Sequence, residues 1–203
     1  MDEACYRSDN RRKHESRNPL KRPLVRRFHR DLLSMLAACP GGSLLDAGCG
    51  EGIVTRIVGD AFPRFDITGI DVEPQLLAQA RQANPRAKFV QGSLSDLHFP
   101  DRAFDTVVCS EVLEHVPDPE AALRELVRVC AGMLVMSVPR EPWFRVANVM
   151  GFSRWSTFGN PPDHINHWTA RGFIRFLAPC VRSATVRTPF PWTMVLGIPD
   201  PHG

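Results

Sequence analysis

The chain reads as short apolar runs alternating with segments of helical periodicity. Apolar positions in 24-LVRRFHRDLLSML-36 recur three and four apart, which predicts a helix packed on the domain edge. Pro40, Gly41 and Gly42 then break the pattern. Leu44 to Ala47 follow as a first strand, 53-IVTRIVGDAF-62 as a helix, 67-ITGID-71 as a second strand, and 74-PQLLAQARQ-82 as a helix with proline at its first position. Further strands are expected at 87–92, Phe104–Ser110 and 132–139, with an amphipathic helix at 119–130 before the last of these. A helix over 169–179 and two strands, 182–188 and 192–198, close the chain.

These strands are continuous apolar runs rather than strict in-out alternations. Buried runs alternating with helices predict a parallel sheet covered on both faces. The link between the last two strands is too short for a crossover helix, so they should pair antiparallel. The expected fold is α/β, Rossmann-like, with seven mostly parallel strands and the last one antiparallel.

Composition narrows this little. With 203 residues, 43% of them hydrophobic, one domain with one sizeable core is expected. No window holds about 18 unbroken apolar residues, so no membrane span is predicted. The six cysteines form no close pair and several lie in apolar runs, which suits free thiols in a reducing, cytoplasmic setting. Charge changes the picture more. Residues 1–30 hold ten Lys/Arg against four Asp/Glu, and the rest holds 15 against 18. A basic leader, residues 1–23, expected to be flexible, therefore precedes the domain at residues 24–203, whose part beyond residue 30 is slightly acidic. That charge suits RNA, an anionic surface or an acidic partner, or a tail that serves solubility alone.

The chemistry begins at 44-LLDAGCGEG-52. In open α/β sheets ligands bind beyond the carboxyl ends of the strands, and Gly48, Gly50 and Gly52 sit at such an end. No lysine follows as in a triphosphate-binding loop, and Asp46 and Glu51 make poor company for a pyrophosphate. Asp71, ending the second strand, can accept both hydroxyls of a ribose. A nucleoside with a positive centre and no phosphate answers these features, and S-adenosylmethionine is one. The tyrosine-lysine pair of many nicotinamide-dependent enzymes is missing, since the sole tyrosine is Tyr6.

With these residues the chain resembles the class I S-adenosylmethionine-dependent methyltransferases of type 11, over roughly residues 30–200. LLDAGCGEG is similar to the family's first motif, 69-GIDVEP-74 to its second, and 99-FPDRAFDTVVCSEVLEHVPDP-119 to the stretch through the fourth strand. The resemblance implies cofactor contacts from Asp46, Gly48, Cys49, Gly50, Asp71, Val72, Ser93, Leu94 and Ser110. Ser93 departs from the family pattern, which often carries aspartate there, so adenine recognition could fall to Ser93, the backbone of Leu94, or Asp96; a plain turn role for Ser93 is equally open. Asp46 could instead serve as an internal hydrogen-bond partner.

Acceptor chemistry is expected past the fourth and fifth strands. If 111-EVLEH-115 continues as a helical turn, Glu111, Glu114 and His115 lie near one another. His164 and His167 in 161-PPDHINHWT-169 could join them. This segment resembles the small-RNA 3′-terminal 2′-O-methyltransferases of the Hen1 type, which implies a divalent metal (Mg or Mn) on Glu111, Glu114, His115 and His164. A metal-free site with His115, Glu111 and His164 as catalytic groups is a second reading, and a structural role for His115 a third. His167 could also be a packed core histidine. Residues 140–168 form an expected lid, part of it helical, in which Trp143, Phe144, Phe152, Trp155, Phe158 and Trp168 interleave with Arg140, Arg145 and Arg154. The expected function is methyl transfer to a small-molecule acceptor, aromatic or anionic, at an oxygen. The alternatives are a metal-assisted RNA 2′-O-methyltransferase and a non-catalytic cofactor-binding module.

Overall fold

The structure is a computed structural model that describes residues 21–150 and 164–200. Most of the basic leader, and Phe152, Arg154, Trp155 and Phe158 of the expected lid, lie outside the described residues. The elements are α1 (Lys21–Leu36), β1 (Gly42–Ala47), α2 (Ile53–Ala61), β2 (Phe65–Asp71), α3 (Pro74–Ala83), β3 (Lys88–Gln91), β4 (Phe104–Ser110), a 3-10 turn (Leu113–His115), α4 (Pro119–Val129), β5 (Cys130–Pro139), α5 (Trp143–Met150), α6 (Ala170–Leu177), β6 (Val181–Arg187) and β7 (Trp192–Pro199).

One seven-stranded sheet runs in the order β3-β2-β1-β4-β5-β7-β6. β1 to β5 pair parallel, while β7 lies antiparallel to both β5 and β6. The expected fold class is the observed one. Successive strand residues enter two different apolar clusters: Leu44, Val108 and Val135 join one, and Leu45, Val107 and Leu134 the other. Since strand side chains alternate between faces, this is burial on both sides of the sheet, the reason the strands read as unbroken apolar runs. α1 presents Val25, Phe28, Leu32, Met35 and Leu36 to the first cluster, and α4 presents Ala122, Leu123, Leu126 and Val127 to the second.

Three strand starts lie two residues before the sequence expectation: β2 begins at Phe65, and β1 and β5 also start early. β1 begins at Gly42, where Ser43 N donates to Asp105 Oδ2 at 2.9 Å and extends the pairing into residues of low strand propensity. β5 begins at Cys130, directly after α4, with a register shift opposite Phe104 and Thr106. Gly132 sits at that shift; a Cβ there would stand 2.7 Å from the carbonyl oxygen of Asp105. A glycine at a bulge lowers strand signal, so the pattern showed only the later residues.

The strand order reverses between β1 and β4: the chain goes outward from β1 to β2 and β3, then returns to lay β4 on β1's other side. The crevice this opens lies at the strands' carboxyl ends. Both candidate motifs end there, β1 leading into the glycine turn and β4 into the EVLEH segment.

Candidate active site

The glycine turn takes its shape from backbone angles that favour glycine. Gly48, Gly50 and Gly52 have φ of 74°, 53° and 78°. A side chain at Gly48 would also collide with Val112, whose methyl carbons lie 2.5 Å from the position of a Cβ. Gly48 N and Cys49 N both donate to the carbonyl of Ile70, at 2.8 and 3.0 Å, which ties the end of β1 to the end of β2. Gly50 N donates to Asp71 Oδ2 at 2.8 Å, and Glu73 N to Asp71 Oδ1 at 3.0 Å. The carboxylate expected to hold a ribose thus stands at the lip of the turn, oriented by two amides. Val72 beside it is 62% exposed, the most exposed large hydrophobic among the described residues, and offers an apolar surface next to that carboxylate.

Asp46 lies elsewhere. It is buried, and its Oδ2 accepts the hydroxyl of Thr55 in α2 at 2.6 Å. Burial pushes its carboxyl up to about 6, opposed by that hydrogen bond. Asp46 therefore fastens α2 beneath the turn. Strand parity carried this signal, because Asp46 shares a face with Leu44, the face of the cluster containing Val58 of α2. Cys49 is buried, its sulfur filling space that a Cβ on Gly69 would take, and burial raises its thiol. Among the expected adenine contacts, Ser93 Oγ accepts Ser95 N at 3.2 Å, Ser93 O accepts Asp96 N at 3.3 Å, and Leu94 is buried. Ser110 shares a hydrogen bond of 3.0 Å with Ser137 across β4 and β5.

At the exit of β4 the chain turns on a non-glycine residue of positive φ. Glu111 has φ 60° and donates its amide to Ser137 O at 3.0 Å. Such a conformation costs about 1–3 kcal/mol, and Arg102 and Ser183 share it outside the candidate site. The helical turn expected next is a single 3-10 turn anchored by the buried Leu113. Glu114 is 1% exposed. Donor atoms of Glu114, His115 and His164 lie within 4.8 Å of one another; Glu111 is not in that group. The rings of His115 and His164 meet edge-on with centroids 4.8 Å apart. His167 is exposed, which removes the packed-core reading for it.

Asn166 assembles this cluster, and no sequence pattern pointed to it. Its Nδ2 donates to Leu113 O at 2.9 Å and to Val116 O at 2.7 Å. Ile165 N and Asn166 N both donate to Glu114 O, at 2.9 and 3.0 Å. Four bonds thus fasten the His164 segment onto the 3-10 turn. Phe144, from the described part of the lid, stacks on His164 at 5.4 Å and faces Trp192 at 6.5 Å. Trp168 instead packs toward Phe173 and Phe176 of α6.

Residues 45–133 match a family model described as a methyltransferase domain. The chain is 38% identical over 131 residues to the 2-methyl-6-phytyl-1,4-hydroquinone methyltransferase of Synechocystis, covering 58% of this chain and 41% of that protein. It is 35% identical over 111 residues to a ubiquinone biosynthesis O-methyltransferase of Xanthomonas campestris, covering 51% and 43%. The chain thus spans less than half the length of these curated relatives. Among solved structures, a Pyrococcus horikoshii protein superposes with TM-score 0.75 at 16% identity, covering 98% of this chain and all of that one. At that identity the likeness concerns the fold.

Proposed function

We propose, from this chain's place among the class I S-adenosylmethionine-dependent methyltransferases, that it moves a methyl group from S-adenosylmethionine to an oxygen of a small-molecule acceptor. The observation that carries the donor site is the Gly50–Asp71 hydrogen bond at the strand-order reversal, which sets a glycine turn and a carboxylate at one lip. The positive-φ turn admits the methionine part close to backbone, Asp71 takes the ribose hydroxyls, and Val72 lies under the adenine. Ser93, the backbone at Leu94, and Ser110 complete the contacts. The cofactor brings the reactive sulfonium carbon. The protein's part is to orient the acceptor and keep water out.

The acceptor side rests on Glu114, His115 and His164. An imidazole there would take a proton from an acceptor hydroxyl, with the buried Glu114 beside it to orient the ring. Glu111, at the exit of β4, lies outside this group and would act on the acceptor only from beside it. Phe144 and Trp192 supply an aromatic wall behind His164. The names of the two relatives above point to hydroquinone-like acceptors, which such a wall would suit.

Calorimetry with S-adenosylmethionine, its demethylated product and a nicotinamide dinucleotide tests the donor site. Binding of the first two and not the third is expected; the reverse pattern overturns the proposal. Adding candidate phenols and hydroquinones with labelled donor then tests the acceptor class.

A second reading is favoured by the same cluster. One carboxylate and two imidazoles are a donor set suited to a divalent cation, and their atoms lie close enough to share one after small adjustments. Glu114, His115 and His164 would hold the ion, which would polarise an acceptor hydroxyl, as in transfer to an RNA 2′-hydroxyl. Equilibrium dialysis with Mn²⁺ decides: stoichiometric binding that His164→Ala abolishes supports this reading, and its absence leaves the metal-free one.

A further inference from the structure

α1 has a second face that the core does not use. Arg22, Arg26 and Arg30 recur four residues apart, opposite buried Phe28, and with Arg27 all are exposed. Arg22, Pro23, Arg26, Arg27 and Arg30 line an open recess of about 530 Å³. Among the described residues, Asp31 is the one carboxylate that forms salt bridges with these arginines. Its side chain, 13% exposed, is shared among Arg27 at 3.8 Å, Arg30 at 3.8 Å and Arg187 of β6 at 3.6 Å. Among the described residues, one negative charge beside so many guanidinium groups leaves this face strongly positive.

Apolar groups stand exposed in a neighbouring element. Trp143 and Val146 of α5 are 49% and 39% exposed, and the Trp143 ring lies 6.3 Å from that of Phe190 in the β6–β7 link. Phe28 of α1 and Phe144 of α5 both pack on Trp192, at 4.9 and 6.5 Å.

We infer that the arginine face of α1 docks the protein on the surface of an anionic lipid bilayer, with Trp143 and Val146 entering the headgroup region. The charge sign selects an anionic partner. The flanking tryptophan and valine select a bilayer over a polynucleotide, because an interfacial helix combines basic charge with apolar groups that leave water. A polynucleotide would also run on past residues 31–203, where acidic groups outnumber basic ones, 18 against 15. A planar surface needs only the one positive face. Docking is peripheral; no described helix is long and apolar enough to cross a membrane. The inference stands whatever the methyl acceptor is.

The test is sedimentation of the full chain with vesicles of phosphatidylcholine alone, or of phosphatidylcholine with about one-third phosphatidylglycerol, at near-physiological salt. Binding to the anionic vesicles alone is expected, weakening as salt rises. Exchanging Arg22, Arg26 and Arg30 together for Gln should lower the partition coefficient by about 100-fold, since each arginine near such a surface contributes roughly fivefold. Trp143→Ala should lower it by about tenfold. All four residues are exposed, so the melting temperature should hold, and that is measured in parallel. The inference is overturned if the triple variant sediments like the parent, if neutral vesicles bind equally, or if the chain holds single-stranded RNA while ignoring anionic vesicles.

Discussion

The two halves of the candidate site are built by different means. The donor half rests chiefly on two short stretches, residues 46–52 and 69–73, with Ser93, Leu94 and Ser110 added from beyond them, and its shape resides in the backbone: three glycines at positive φ and amides of Gly48, Cys49 and Gly50 bonded to the end of β2. The acceptor half is gathered from residues 111–116, Phe144, residues 164–166 and Trp192. It is held by side-chain and loop contacts, of which Asn166 to Leu113 spans 53 positions. A site made by backbone geometry is written where it stands in the chain. A site made by tertiary contacts is written in pieces, each of them ordinary.

If that contrast is right, damage to one half should leave the other intact. The largest effect is expected from Gly48→Val, which places a branched side chain at φ 74° and into Val112. Donor binding by calorimetry should vanish and stability fall by a few kcal/mol; a retained affinity would break the backbone account. Next is Asp46. Its carboxyl keeps a proton up to about pH 6 in the native state, against 3.8 ordinarily. The native state therefore binds the extra proton between those values. Its advantage is full below about pH 4 and is lost by pH 7, an amount of about 3 kcal/mol. Urea melts across that range should show the decline in the parent and a flatter profile in Asp46→Asn.

Asn166→Ala should follow. It strips donors from the carbonyls of Leu113 and Val116, at a cost of about 1–3 kcal/mol. Turnover per acceptor should drop about tenfold or more while donor affinity holds. Were donor affinity to fall equally, the halves would not be separable. The smallest effect belongs to Val72→Ser, which removes exposed apolar surface beside Asp71. Donor affinity should weaken only several-fold, for about 1 kcal/mol.

The same contrast explains what the sequence disclosed. The sheet and its helices were legible because burial on both faces forces apolar runs at strand length, and Pro74 and Pro119 mark helix starts. The register shift at Gly132 was not, since glycine carries little strand signal. In the donor half, glycine spacing and Asp71 were readable as local chemistry, but the inward turn of Asp46 toward Thr55 depended on which strand face met α2. In the acceptor half, Glu114, His115 and His164 could be singled out as residue types able to carry a proton or a metal. Asn166 could not, and Phe144 was readable only as one of six aromatics in the expected lid. An amide has no chemistry that marks it before the loop that carries it is placed.

One row of rings links the edge of the molecule to its interior chemistry. Phe28 of α1 rests on Trp192, Trp192 faces Phe144, Phe144 stacks on His164, and His164 abuts His115. The first helix is thus a buttress for the proposed acceptor site, and trimming the chain to begin at the sheet would take away the footing on which His164 stands.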